Sequence, residues 1–388
     1  MPAENLLILG ASARAAAFSA LAAGLRPVCG DAFADVDLRQ VCPATATKNY
    51  PAGLAEIAAA SPPGPWLYTG ALENQPALVS RINSTRVLWG NDAQALVRVR
   101  DPFAISRVLA VAGLPAPAVR RSAVGLPRDG SWLRKPIRSS GGAGIAPWTA
   151  AVAERSLDRA TKSDGARHVF QQRIRGTPCA AIFLAAAGQS QLLGATEQLL
   201  TGESPDAAFQ YAGSVGPLPL STSTTARLRQ MGEILAAEFQ LQGLFGVDYI
   251  DDGAEIWPIE INPRYTASVE ILERALGFSA IGLHVAACRD CRLPADATPS
   301  APDGAMPAWR AKRIVYARRS ATVTSALVDA LLLAATGREP PIADIPSAGT
   351  ELLPGQPILT LFGHGATRDA AIAQIDNAIA AWADRLPI

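Results

Sequence analysis

The chain has 388 residues, 49% of them hydrophobic and 18% charged, with a formal net charge of +1. That length exceeds one compact core, so two or three domains are expected, and the near-zero charge excludes a global field that would recruit nucleic acid or an anionic membrane. No apolar run is long enough to span a bilayer, and five cysteines make no even disulfide framework, so the expectation is a reduced, cytoplasmic protein.

The first segment, LLILGASARAAAFSALAAGL, lacks the basic leader of a signal peptide, and Arg14 interrupts its apolar run. It reads as a strand from Asn5 to Leu9 and a helix to Leu25, followed by a second strand from Arg26 to near Asp31. Gly10-x-Ser12-x-Arg14 lacks the second and third glycines of a dinucleotide turn, which favours a Rossmann-like domain without its own nucleotide. WLYTGALENQP (66–76) is a strand running into a helix. It puts Glu73 and Asn74 at a strand's carboxyl end, where open α/β sheets hold ligands. VLWGNDA (87–93) repeats that design.

From about Arg100 the texture changes. DPFAISRVLAVAGLPAPAV predicts a helix from Pro102 with Asp101 as N-cap, closed by Gly113 and Pro115. GSWLRKPIRSSGGAGIAPW is a strand carrying Lys135 and then a Ser/Gly loop. Two strands flank Gly176-Thr-Pro178, a helix covers 221–240, and a strand pair covers 243–262. Cys288 and Cys291 read as helix-end cysteines, since a zinc knuckle needs four ligands. LPADATPSAPDGAMP (293–307) is a linker by composition, and a smaller region follows with strands around RIVYARR and PILTLFG and a terminal helix. His168, His284 and His364 are scattered and read as structural.

The chemistry concentrates in IEINPRYTASVE (259–270). Residues two apart on a strand share a face, so Glu260, Asn262 and Arg264 project together. For Asp248 of LFGVDYI to lie opposite Glu260, the turn must centre on Ala254, as in a five-residue loop from Asp252 to Ile256. The two acids then share a face and repel unless a cation offsets them. Carboxylates and an amide oxygen suit Mg²⁺, and a guanidinium beside them suits phosphate. The plainer alternative is a solvated hairpin, but Ile259 and Ile261 alternate with the polar positions. Lys135 precedes the glycines of RSSGGAGI (138–145), the reverse of a Walker loop, and such glycines allow a flexible lid whose N–H groups approach an anion.

These segments together resemble the ATP-grasp superfamily of carboxylate–amine ligases over roughly Arg100 to Gly277, through RDPFAISRVLAVAGLPAP, LRKPIRSSGGAGI, QQRIRGTPC, GVDYI and IEINPRYTASVEILERALG. The resemblance implies a mixed α/β and α+β chain. Its parts would be a Rossmann-like domain (1–98), an ATP-grasp domain of two α+β subdomains (99–300, lid about 118–190) and a small α+β C-terminal domain (301–388). It implies ATP as co-substrate, with Lys135 on the phosphates and Arg138, Ser139, Ser140, Gly141, Gly142 and Gly144 in the covering loop. Gln171, Gln172, Arg173 and Ile174 would form the hinge against adenine and ribose, although the family's usual ribose-binding glutamate is replaced by glutamine. Asp248, Glu260 and Asn262 would hold one or two Mg²⁺, Arg264 would meet the acyl phosphate or γ-phosphate, and Arg107 is a further phosphate candidate that reads equally well as a solvated helix residue.

The substrates would be a small carboxylate and an amine, with Glu73 (the preferred amine anchor), Asn74, Tyr211, Arg310 and Lys312 as candidate contacts. Each of these reads equally well as a surface or capping group. A homodimer is a further expectation, with no nucleic acid or membrane partner. The nearest branch is similar to biotin carboxylase and to tyramine–glutamate ligase of methanofuran-type cofactor synthesis. The rival readings are a bicarbonate-activating enzyme, a Rossmann oxidoreductase and a non-catalytic nucleotide sensor.

Overall fold

The computed structural model describes residues 4–154, 168–202, 208–295, 308–337 and 339–388. Positions 296–307 of the expected linker and 155–167 of the expected lid lie outside these described residues. No single helix among the described residues is long and apolar enough to cross a bilayer.

Four short strands open the chain: β1 (Asn5–Leu9), β2 (Arg26–Asp31), β3 (Ala44–Ala46) and β4 (Trp66–Tyr68). They form a parallel sheet in the order β3-β2-β1-β4. The run LLIL of β1 is buried throughout, as a parallel strand covered on both faces requires. Helix Arg14–Ala22 follows without a side-chain cap of its own, and Asp31 at the end of β2 accepts the Ala13 N–H at 2.9 Å instead. The strand expected over 87–93 reduces to one parallel bridge, Trp66 to Leu88. Asp92 then caps helix Ala93–Val99 by accepting from Gln94 N and Ala95 N, which ends any extended run there.

The helix predicted from Pro102 spans Pro102–Val111, with Asp101 accepting from Phe103 N at 3.0 Å. Next come β5 (Val119–Arg120), β6 (Asp129–Pro136), β7 (Ala146–Thr149) and β8 (His168–Gln172), an antiparallel sheet in the order β5-β8-β6-β7. Trp148 and Phe170 meet edge to face at 4.9 Å in its small core.

A larger sheet begins with β9 (Thr177–Ala186), β10 (Gln189–Leu200) and β11 (Tyr211–Gly216), and continues with β12 (Gly243–Asp251) and β13 (Ile256–Asn262). Helix Thr222–Phe239, capped by Ser221, covers one face with Leu228, Met231, Leu235 and Phe239. Beneath it Phe183 and Phe245 stack at 4.9 Å. Each such side chain contributes about 1.5–3 kcal/mol by burial, so this face anchors the floor of the site.

The C-terminal region supplies β14 (Trp309–Tyr316), β15 (Ala321–Thr322), β16 (Ile342–Ala343), β17 (Glu351–Leu352) and β18 (Pro357–Gly365). β14 pairs with β11 on one side and β18 on the other, so the large sheet runs β13-β12-β9-β10-β11-β14-β18-β16. Strands from both sides of the expected 300/301 boundary therefore share one sheet, while β15 and β17 form a separate ribbon.

Candidate active site

The β12–β13 hairpin places Asp248 opposite Glu260 and Gly246 opposite Asn262. The expected register holds, but by a different device. The loop is Asp252–Glu255, one residue shorter than expected, and Asp252 accepts from the N–H groups of Ala254 and Glu255 at 2.9 and 2.7 Å. The pairing then shifts by one residue at Ile259, which restores Asp248 to its place opposite Glu260. The shift also leaves the Ile259 carbonyl free to accept from Lys135 Nζ at 3.2 Å, so Ile259 lines the cavity while Ile261 is in the core.

Asp248 Oδ1 accepts from Gln198 Nε2 at 2.9 Å and Oδ2 from Asn262 Nδ2 at 3.1 Å. Burial, and then the Glu260 charge opposite, push its carboxyl up to about 7, against the pull of Arg264 and Lys135. Burial opposes ionisation of Glu260 as well, but Arg100 and Lys135 outweigh it and hold that carboxyl below its ordinary value. Two carboxylates and an amide on one face, with burial and mutual repulsion opposing ionisation of one acid, fit a hard cation of the Mg²⁺ kind. Among the described residues there is no metal-like cluster of three or more His, Cys, Asp or Glu, so a site here draws on the Asn262 amide and on oxygens from elsewhere.

Lys135 lies near the end of β6, paired with Val169 of β8, and its ammonium also donates to Gln171 Oε1 at 3.3 Å and stands 3.8 Å from Glu260 Oε2. The glycine loop beyond it seats against the large sheet. Gly141 O accepts from Tyr211 N at 3.0 Å, and Gly142, at φ +78°, faces the Phe209 carbonyl so closely that a Cβ would lie 1.8 Å from it. Only glycine fits that approach. Arg173 lies over the Phe209 ring at 5.7 Å on the same side.

Arg264 reaches back to the N-terminal region. Its Nε and Nη2 donate to Glu73 at 2.9 and 2.6 Å, and Nη2 also to Asn262 Oδ1 at 3.2 Å. Glu73 is 1% exposed and committed to this guanidinium, which replaces the expectation that it anchors an amine. Asn74 likewise turns to the glycine loop, donating to Ser139 O at 3.1 Å.

These groups surround a cavity of about 710 Å³. Lys135, Asp248, Glu260, Asn262 and Arg264 line it, as do Ser140, Gly141 and Gly142 of the loop, Gln171 to Ile174 of the hinge, and Tyr211 and Lys312. Other expected contacts sit elsewhere. Arg107 is exposed on the outer side of its helix, Arg138 points to solvent, and neither Ser139 nor Gly144 lines the wall. Arg310 is used by Glu339 at 3.3 Å and lies outside the cavity. Gln172 accepts from Ala118 N at 3.3 Å, tying the hinge to β5. His284 is structural as expected: its Nδ1 accepts from Leu244 N and its Nε2 donates to Trp89 O, and burial lowers its pKa to about 4.

Arg100 escaped the sequence reading. It pairs with Glu260 and donates to the Ile137 and Ser139 carbonyls at 3.1 Å each, linking the acid pair to the loop. Its only sequence signal is an arginine directly before a capping aspartate. A second charged group was also missed: Glu270, inside the motif already singled out, is buried and held by Arg14 and Lys312 at 2.7 and 3.1 Å. An acid within the apolar stretch SVEIL is the signal that could have found it.

Paired acids, a lysine and a glycine loop thus gather around one crevice. The ATP-grasp family model matches residues 99–268, and that segment is an ATP-grasp domain. The whole chain is similar in fold to N5-carboxyaminoimidazole ribonucleotide synthetase from Thermus thermophilus, with a TM-score of 0.68 at 15% identity, covering 99% of each chain. It is also similar to the biotin carboxylase domain of the 2-oxoglutarate carboxylase of Hydrogenobacter thermophilus, solved with MgADP and bicarbonate (TM-score 0.73, 13% identity, 96% of this chain and 89% of that one). L-amino acid ligase from Bacillus licheniformis gives 0.68 at 14% identity, over 100% and 98%. No curated protein sequence matches the chain.

Proposed function

We propose that the protein is an ATP-dependent carboxylate–amine ligase acting through an acyl phosphate, in the biosynthesis of a cofactor or an amino-acid-derived metabolite. The observation that carries this reading is the facing pair Asp248 and Glu260, with Lys135 and Arg264 beside it in one cavity. Asp248, Glu260 and Asn262 would hold Mg²⁺, which when bound supplies charge neutralisation to the phosphates. Lys135, already within reach of Glu260, and Arg264, fixed by Glu73, meet the negative charge that spreads over transferring phosphoryl oxygens. The glycine loop seated on Phe209 keeps water from the reacting carboxyl.

In the first step a carboxylate oxygen bonds to the γ-phosphorus of ATP and the bond to ADP breaks. In the second, an amine nitrogen bonds to the carbonyl carbon, phosphate leaves with the C–O electron pair, and the nitrogen loses a proton. No protein nucleophile is needed. Glu260→Gln and Lys135→Ala each abolish ADP release while the fold survives, read by an ADP-coupled assay and circular dichroism. Ligase activity at wild-type level in either variant overturns the assignment. A screen for amine-stimulated ADP release over amino acids, polyamines and tyramine-like amines identifies the acceptor. Bicarbonate-dependent ADP release without any amine would point instead to a bicarbonate-activating enzyme.

A further inference from the structure

The same cavity has a second charged end that phosphoryl transfer does not use. Arg14 gives Nη1 and Nη2 to both oxygens of Glu270 at 2.7 and 3.0 Å, and Nε to Asp344 at 2.7 Å. Asp344 also accepts from Thr360 Oγ1 at 2.6 Å. Asp37 accepts the N–H groups of Asp344 and Ile345 at 3.0 Å each, and Asp31 those of Ala13, Phe33 and Ala34. Each of these acids has its donors.

Asp35 has none. It lines the cavity and is 7% exposed, yet among the described residues its carboxylate accepts no hydrogen bond and lies in no ion pair. It stands at the start of helix Val36–Val41, where an aspartate ordinarily accepts first-turn N–H groups. Asp92 and Asp101 do so in this chain, and Asp35 does not. Burial, with Asp344, Asp37 and Asp31 nearby, drives its carboxyl well above the ordinary range, and Arg14 offsets only part of this. Asp35 thus feels three other carboxyls and one guanidinium, and that guanidinium, like Lys312, is already committed to Glu270. A buried carboxyl left in this way keeps its proton until a positive group arrives to meet the charged form. Phe33, half-exposed, lines the same cavity.

We infer that Asp35 anchors the ammonium group of the amine substrate, so the acceptor is a compound taken up in its protonated form at the N-terminal end of the cavity and must pass one proton to the Asp35 carboxylate before its nitrogen can attack. This rests on the ligase reading above and gives it a substrate class. Asp35 takes over the role that sequence alone assigned to Glu73.

The test uses the full chain, with tyramine, putrescine and ethanolamine as probes and their N-acetyl counterparts as neutral controls. Calorimetric titration and thermal shift are run on wild type and Asp35→Asn, each also with MgADP. At least one free amine binds wild type and its acetylated form does not. Asp35→Asn weakens that amine roughly tenfold or more, the loss of one charge-assisted contact, with MgADP affinity unchanged. Without ligand, Asp35→Asn melts no lower than wild type, which a merely structural aspartate would not allow. MgADP binding with no discrimination between amine and amide, or with equal amine affinity in the variant, overturns the anchor and leaves the ligase reading standing. Absence of MgADP binding beside Asp35-dependent amine binding overturns the ligase reading and keeps the cation site.

Discussion

Arg264 and Glu73, 191 positions apart, form a two-pronged ion pair at 2.9 and 2.6 Å, with the acid 1% exposed. The pair fixes the guanidinium beside Asn262 and ties the N-terminal region to the catalytic floor. Removing one partner of a buried pair strands the other charge, at about 3–5 kcal/mol. Glu73→Ala therefore lowers the melting temperature by several degrees and cuts ADP release, and Glu73→Gln, which keeps one acceptor, does less of both. Calorimetry beside the ADP assay checks this, and an unchanged melting temperature in Glu73→Ala would contradict it.

The glycine loop offers a comparison between neighbours. A Cβ on Gly142 would lie 1.8 Å from the Phe209 carbonyl, whereas one on Gly141 meets nothing within 4 Å. Both residues have positive φ, so both alanine variants carry backbone strain of roughly 1 kcal/mol. Only Gly142→Ala also unseats the loop. Its KM for ATP is expected to rise roughly tenfold or more, with Gly141→Ala closer to wild type; equal effects in steady-state kinetics would show that the contact is not needed.

Arg100 and Arg107 separate contact from proximity in sequence. Arg100→Ala removes the guanidinium from Glu260 and from two loop carbonyls, so metal-dependent ADP release should fall by roughly tenfold or more. Arg107 is exposed, and Arg107→Ala should stay within about 0.5 kcal/mol in stability and near wild type in rate. A larger loss from Arg107 than from Arg100 would reverse the assignment.

Glu273 gives a pH signature away from the acid pair. Burial pushes its carboxyl from the ordinary 4.5 to about 7, against hydrogen bonds from Ser19, Tyr265 and the Ala280 N–H. The folded chain thus holds this proton more tightly than the unfolded chain. Stability from this group is full below about 4.5, declines as pH rises, and is lost above about 7, with an upper bound of about 3 kcal/mol. Glu273→Gln mimics the protonated acid without the titration: its amide oxygen can still accept from Ser19 and Ala280, while its N–H groups would have to donate to the Tyr265 hydroxyl. Urea melts across that window should show wild type losing stability relative to the variant as pH rises; a constant difference would refute the shift.

The sequence made the facing acids legible because alternation along a strand is strict, and two positions with a common sum must meet. It hid the one-residue shift at Ile259, since IEIN reads as a regular pleat and local pattern carries no mark of a bulge. Glu73 was placed correctly at a strand's end, but nothing local reveals that its partner is Arg264. Arg100 was hidden for the same reason, its acid lying 160 residues away. The Arg14–Glu270–Asp344 cluster unites three distant segments, and only the folded chain brings them together. The continuity of the large sheet into the C-terminal region was invisible too, because a composition break at 293–307 looks like a boundary even where pairing resumes beyond it.

That continuity bears on how the molecule is made. β11 receives β14 from one hundred positions further along, Gly213 meeting Arg313. During synthesis the edge of β11 stays open while that stretch is translated, and an open edge is a template for association with other chains. A nascent chain stalled between Asn262 and Trp309 would carry the acid pair, the lysine and the lid, yet would lack Lys312 and Asp344. Protection of one strand edge during translation is therefore part of what producing this protein in soluble form requires.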